Sequence, residues 1–289
     1  MFRKSSAQIN LAMKIDIWDI DGTMTYVHGD ITDTSGYNTY AFWPLISKHF
    51  TKDAIQLQQM IDAWEASMKT EPDPTGSSHA MMQKSIETFK ENITSQDVSS
   101  YAKELTLQFI KHGVIRNEAI QHFEARLSQG VVCILSTGSY EDGARGFVDA
   151  LIENGMLSKK SAELIRLSGA VVDWEKRILL HANVRERKLT GIEKVMGRNI
   201  SLFKGNIENV YADDPWVNDQ GIISIAPPSG AHVITTVKNK DKQLPSDYRF
   251  TTWSSILNAA RKEIRKIRNE CCSENRYLTN RHIFSVPRS

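Results

Sequence analysis

Ile15-Asp16-Ile17-Trp18-Asp19-Ile20-Asp21-Gly22-Thr23 is the stretch on which the fold turns. Lys14 to Trp18 alternates in character, as a strand does, and the run then stops at two carboxylates and a glycine. A strand that ends in a carboxylate-bearing loop belongs at the ligand edge of an open α/β sheet, where binding occurs beyond the carboxyl ends of the strands.

Downstream, the periodicity becomes helical from about residue 40 to 113. Ile55, Met60, Ile61 and Trp64 recur at helical spacing, then Met81, Ile86 and Phe89, then Val98, Tyr101, Ala102, Leu105, Phe109 and Ile110. About four helices are expected there, two of them separated by a loop at Glu71-Pro72-Asp73-Pro74-Thr75-Gly76. A further helix at Ala119–Gln129 leads through Gly130 to Val131-Val132-Cys133-Ile134-Leu135, an unalternating apolar run of the kind found in buried parallel strands. Ser136-Thr137-Gly138-Ser139 should end that strand, with a helix over Glu141–Asn154. Val171-Val172 and Ile178-Leu179-Leu180 read as a hairpin, and a helix carries Lys188, Leu189, Ile192, Val195 and Met196. Asn209-Val210-Tyr211-Ala212 is a strand leading to Asp213-Asp214, and Ile222–Ala226 reads as a last short strand. The strand–helix alternation predicts an α/β fold with a mainly parallel sheet and a helical insertion after the first strand.

The composition limits the function classes. The 289 residues are 40% hydrophobic and 24% charged, with a formal net charge of +2. That near-neutral balance gives no whole-protein case for nucleic acid or an acidic membrane, so no nucleic acid is expected as a partner. No stretch approaches the ~20 apolar residues of a membrane span. The opening MFRKSSAQINLAMK follows its basic residues with polar ones, unlike a secretory signal. Cys133 lies in the apolar run and reads as core; Cys271 and Cys272 have no metal-ligand spacing. This cysteine usage fits a reducing compartment, and a cytoplasmic location is the default expectation.

Two acidic strand ends (Asp19 with Asp21, then Asp213 with Asp214), a hydroxyl pair at Ser136 and Thr137, and Lys188 at a helix start all fall on one sheet edge. Together they make a phosphate-and-metal site. The carboxylates would hold Mg²⁺, and the cation and lysine would neutralise phosphoryl oxygens so that an anionic carboxylate can approach them. A Ca²⁺ loop beginning at Asp19 would need Glu at its twelfth position, which is Asp30. Ser136 could cap a helix, Lys188 competes with Lys176, Arg185 and Arg187, His28 reads as an ordinary loop histidine, and Trp18 as sheet packing. Trp43, Trp64 and Met60 read as packing within the helical block.

The residues 15–23 resemble the first motif of the haloacid dehalogenase-like (HAD) superfamily, an apolar strand followed by Asp-x-Asp-Gly-Thr. Val131–Leu135 with Ser136 is similar to the second motif, Lys188 to the third, and Val210-Tyr211-Ala212-Asp213-Asp214 to the acidic fourth, in the family's order. Glu118–Leu151 is most similar to the phosphoserine phosphatase-like branch. The resemblance implies a Rossmann-like core over 13–28 and 126–260 and a helical cap over 29–125; beyond them, the run from Arg261 to Arg268 reads from its own residues as a basic helix with a solvated face, in a C-terminal helix and tail over 261–289. The resemblance also implies a phosphatase acting on a small phosphorylated substrate, with Asp19 as nucleophile and Asp21 as acid and base. Asp19, the Asp21 backbone carbonyl and Asp213 would bind Mg²⁺. Ser136, the N–H groups of Thr137 and Gly138, and Lys188 would bind phosphate at a helix N-terminus, and Thr23 would steady the loop. The fourth motif departs from the common pattern, with Ala212 where glycine is usual. The second carboxylate there is Asp214 or, ranked after it, Asp219. A phosphotransferase of the same superfamily and a non-catalytic regulatory protein are the alternatives; dehalogenation would not need the Mg²⁺ site.

Overall fold

The computed structural model describes residues 13–262, apart from 33–34, 69 and 245–247. Seven strands form one sheet in the order β4-β3-β2-β1-β5-β6-β7. They are β1 (Ile15–Trp18), β2 (Val132–Tyr140), β3 (Ile165–Asp173), β4 (Ile178–His181), β5 (Ile207–Ala212), β6 (Ala231–Ile234) and β7 (Arg249–Thr251). β1 sits at the centre, parallel to β2 on one side and to β5 on the other. β2–β3 and β5–β6 are also parallel, while β3 and β4 form the expected antiparallel hairpin. The strand order therefore reverses at β1, the point where open α/β sheets leave a crevice.

The two faces of β1 are covered for different reasons. Ile15 and Ile17 face a core shared with Ile134, Val210 and Val233, closed by Ile192 and Met196 of α7 (Arg187–Met196). On the other face, the paired positions Trp18, Tyr211 and His232 make a cross-strand aromatic row. Trp18 and Tyr211 have ring centroids 4.0 Å apart, and His232 stacks on Tyr211 at 4.8 Å. His122 of α5 (Asn117–Ser128) shares a 2.8 Å hydrogen bond with the Tyr211 hydroxyl. Beneath the row, buried Asp16 receives a two-pronged bond from Arg126 of α5 (2.6 and 3.1 Å) and a third from Asn209 (2.9 Å). A carboxylate inside a sheet persists only when paired in this way.

Between β1 and α5 lie α1 (Phe42–Phe50), α2 (Ala54–Ser67), α3 (Pro74–Glu87) and α4 (Ser95–Lys111), in the same compact unit as the sheet. Asp53 caps α2, and Thr94 with Asp97 makes a capping box on α4. α3 begins at Pro74, inside the stretch read as a loop, because Asp73 accepts from the Gly76 N–H and proline suits the first helical position. α4 runs along α6 (Glu141–Glu153) so closely at Gly146 that a Cβ there would collide with the Ser99 carbonyl.

Two elements depart from expectation. Ile222–Ala226 is not a strand. Gln220–Ile223 forms a short helix, α8, continued by turns in which Ser224 N–H reaches the Gln220 carbonyl and Ala226 N–H that of Ile223. Ile222, Ile223 and Ile225 are buried all the same, and a short buried apolar run does not distinguish the two conformations. β2 also runs on past Leu135 to Tyr140, with a bulge between Ser136 and Tyr140. Residues 253–262, in a separate unit, are helical; the rest of the basic tail, 263–289, lies outside the described residues. No helix among the described residues is long and apolar enough to cross a membrane.

Burial holds the pKa of both His122 and His232 down, to about 4, with the Arg126 charge adding to the effect at His122. A histidine whose folded pKa lies below its unfolded value stabilises the fold above the unfolded value, near 6.5, and loses that contribution as pH falls toward 4. Urea unfolding should show stability dropping across that window by no more than about 1.4 kcal/mol per pH unit for each histidine. A variant with His122→Gln and His232→Gln should show a visibly shallower drop.

Candidate active site

The end of β1 is shaped by backbone bonds. Asp19 N–H makes the last ladder bond, to Tyr211 carbonyl at 2.9 Å, and the chain then winds so that Met24 and Thr25 N–H return to the Ile20 carbonyl. Gly22 allows this turn at φ 81°, and its bare Cα lets the Asp213 carboxylate pack where a Cβ would stand. The Gly22 N–H is met by Thr25 Oγ1 at 3.1 Å, and Thr23 Oγ1 donates to Asp213 Oδ1 at 3.5 Å.

Lys188, on the first turn of α7, sends its stem through the interior and is 1% exposed. Its ammonium donates to Asp19 Oδ1 (2.7 Å), Asp219 Oδ1 (2.5 Å) and the Ser136 carbonyl (3.1 Å). All three donor sites of the ammonium are used, which meets the requirement for a buried charge. Burial pulls the Lys188 pKa down, but Asp19 and Asp219 outweigh it and hold the group above its ordinary value.

Asp19, Asp213 and Asp219 can each bring one carboxylate oxygen within 4.8 Å of the others. Asp219, ranked behind Asp214 from the sequence, is thus the residue that reaches Lys188. The loop after β5 closes on itself, with Asp219 N–H donating to the Asp214 carbonyl (2.9 Å) and Asp214 N–H to Asp219 Oδ2 (3.2 Å). This reciprocal pair turns residue 219 inward. Asp214 is taken up by the Asn218 N–H at 3.3 Å, and its Oδ1 is buried without a hydrogen-bond partner among the described residues. Burial raises the pKa of both Asp19 and Asp213 well above the carboxylate range, and the neighbouring carboxylates raise them further, against the pull of Lys188.

Asp21 faces another way. Its carboxylate accepts the Phe42 N–H at 3.1 Å and so caps α1, whose own preceding residue, Ala41, offers no side-chain cap. Burial pushes its pKa up to about 6, while the Phe42 bond and Lys188 pull in the opposite direction. Four carboxylates, Asp19 and Asp219 buried and Asp21 and Asp213 half-buried, outnumber the Lys188 ammonium, and an all-oxygen donor set fits a hard divalent cation such as Mg²⁺.

Ser136, Thr137 and Gly138 lie on the bulged end of β2, not at a helix N-terminus. α6 begins only at Glu141 and opens with Glu141 and Asp142, so its first turn is already acidic. Asn183 pins this segment, donating to the Thr137 carbonyl (2.9 Å), the Ser168 carbonyl (2.8 Å) and Ser136 Oγ (3.4 Å). Asn239 does the same for the fourth acidic segment, donating to the Asp213 carbonyl (2.7 Å) and the Ile234 carbonyl (2.8 Å). Neither asparagine was singled out from the sequence, where nothing separates them from asparagines in exposed turns. A cavity of about 290 Å³ opens over Asp19, Asp21 and Lys188 and is bounded on its far side by Trp43, Trp64 and Met82 of α1–α3.

No family model matches the chain, and no curated protein matches it in sequence. Solved structures do match. Cytosolic 5'-nucleotidase IIIB bound to cytidine aligns with TM-score 0.50 and 11% identity, over 79% of this chain and 75% of that one. A protein of unknown function from Bordetella pertussis Tohama I aligns with TM-score 0.48 and 13% identity, over 77% and 90%. A dehalogenase aligns with TM-score 0.36 and 10% identity, over 86% and 97%. The likeness to the nucleotidase is one of fold alone: both share an α/β architecture, and the mainly parallel sheet is the one expected from the strand–helix alternation.

Lys188→Met would leave Asp19 and Asp219 buried without their counter-charge. Urea unfolding in the absence of divalent cations should show a loss of about 3–5 kcal/mol, and millimolar Mg²⁺ should recover part of it. Stability equal to that of the unaltered protein would overturn this account of the buried charge.

Proposed function

We propose that the chain is a Mg²⁺-dependent phosphomonoester hydrolase that acts on a small phosphorylated metabolite through an aspartyl-phosphate at Asp19. The observation that carries this reading is the buried Asp19 carboxylate, 2.7 Å from the Lys188 ammonium and grouped with Asp213 and Asp219 at the switch point of the sheet. A structural neighbour that is a 5'-nucleotidase agrees with it.

On this reading, a carboxylate oxygen of Asp19 attacks phosphorus as the bond to the leaving oxygen breaks. Asp21 delivers a proton to that oxygen. Asp21 then takes a proton from water, which attacks the aspartyl-phosphate, frees inorganic phosphate and restores Asp19. A pKa of about 6 suits a group that must donate in one step and accept in the next. Lys188 holds Asp19 in place and offsets charge on the phosphoryl oxygens, aided by Ser136 and the N–H groups of Thr137 and Gly138 on the β2 bulge. Mg²⁺, held by Asp19, Asp213 and the Asp21 carbonyl with Asp219 alongside, would supply further neutralisation of the phosphoryl group. The leaving group would lie toward Trp43, Trp64 and Met82.

Phosphate release from p-nitrophenyl phosphate should require Mg²⁺ and vanish with a chelator. Asp19→Asn should lower turnover by about three orders of magnitude or more and abolish acid-stable labelling by a phosphoryl donor. Full turnover by Asp19→Asn would end the proposal.

A further inference from the structure

The chain passes between the sheet and helices α1–α4 twice, at residues 23–30 and 114–116, and the two passages lie side by side. Thr25 and Ile115 form an antiparallel bridge, Tyr26 N–H reaches the Val114 carbonyl at 2.9 Å, and Arg116 N–H reaches that of Met24 at 2.9 Å. Arg116 then closes over the junction. Its Nε donates to the Thr25 carbonyl (3.0 Å), its Nη2 to Asp30 Oδ2 (2.7 Å), and its guanidinium lies 4.2 Å from the Tyr26 ring centroid. Both members of the ion pair are nearly buried, with side chains 11% and 8% exposed.

Asp30 has a further partner that an ion pair does not require. Gly29, at φ 97°, completes a turn in which Asp30 N–H bonds the Val27 carbonyl (3.0 Å) and Asp30 Oδ2 takes the Val27 N–H (3.2 Å). The other oxygen, Oδ1, takes the N–H of Val237 at 2.7 Å. Val237 lies in the loop after β6 that also holds Asn239. The Thr236 N–H donates to Asn239 Oδ1 (2.8 Å), and Asn239 in turn donates to the Asp213 carbonyl. A path thus runs by hydrogen bonds from Arg116 through Asp30 to the Val237 N–H, along the covalent link to Thr236, and by hydrogen bonds again through Asn239 to the backbone of Asp213.

We propose that Asp30 is a positioning residue for Asp213, holding the loop at 236–239 against the two passages so that the Asp213 carboxylate is set for a divalent cation. The inference rests on the cation site of the proposed function. Groups behind a metal ligand set its orientation, and their loss commonly weakens metal affinity without unfolding the protein. A purely structural ion pair would hold the passages together and leave cation affinity unchanged.

Calorimetric titration with Mg²⁺ alone, on the full chain, separates these roles. Asp30→Asn, close in shape but uncharged, should raise the Mg²⁺ Kd about tenfold, the lower end for groups behind a ligand. Asn239→Ala should do the same, and the double variant should fall short of the product of the two effects, as for residues on one path. Arg116→Lys, which keeps the charge but loses the fork, should shift the Kd in the same direction by less and covers the case in which Asp30→Asn fails to fold. An unchanged Kd in a folded Asp30 or Arg116 variant, whatever its melting temperature, overturns the proposal. Absence of Mg²⁺ binding by the unaltered chain would instead remove the cation site itself, and the proposal with it.

Discussion

One buried ammonium organises the candidate site. Lys188 binds the end of β1 through Asp19, the end of β2 through the Ser136 carbonyl and the loop after β5 through Asp219. These are the strands that flank the reversal in sheet order. Placing a charged amine there is unfavourable unless each of its protons is met, and each carboxylate it meets is itself buried and in need of a counter-charge. The arrangement stands only as a set. The aromatic row and the Asp16–Arg126 pair secure β1 from its other face, so the strand that carries Asp19 is held from both sides.

What could be read from the chain follows from how local each feature is. The apolar run before Asp19, the unalternating strand before Ser136 and the periodic helix behind Lys188 are written in consecutive residues. The sheet and the approach of Asp19, Lys188 and Asp213 followed from them. Asp219 was harder to read because its position depends on the reciprocal bonds with Asp214 that fold the loop inward. Asn183, Asn239 and Asp30 each take their meaning from at least one distant partner, 15, 26 and 207 residues away respectively. Nothing next to them in sequence distinguishes a buried, fully engaged side chain from a solvated one. Ile222–Ala226 misled for a related reason, since burial makes apolar demands on helix and strand alike.

The helical insertion is joined to the sheet by polar contacts as well as by packing. Tyr140, at the end of β2, shares a 3.0 Å hydrogen bond with Ser47 of α1, while α4 and α6 meet at Gly146 without an intervening side chain. The insertion supplies one wall of the cavity over Asp19, and the passage at 23–30 meets the loop beside Asp213 through Asp30. The surface that would select a leaving group and the groups that would act on it therefore share supports.

The bond from the Phe42 N–H to Asp21 also has a thermodynamic corollary. An ionised carboxylate accepts such a bond more strongly than a neutral acid does. The occupancy of a proton on Asp21 and the seating of the first turn of α1 are thus conjugate quantities: whatever shifts one shifts the other in proportion. Thr39, Tyr40 and Ala41, just ahead of that turn, line the cavity. Protonation of Asp21 and the placement of these lining residues are thereby linked through one hydrogen bond.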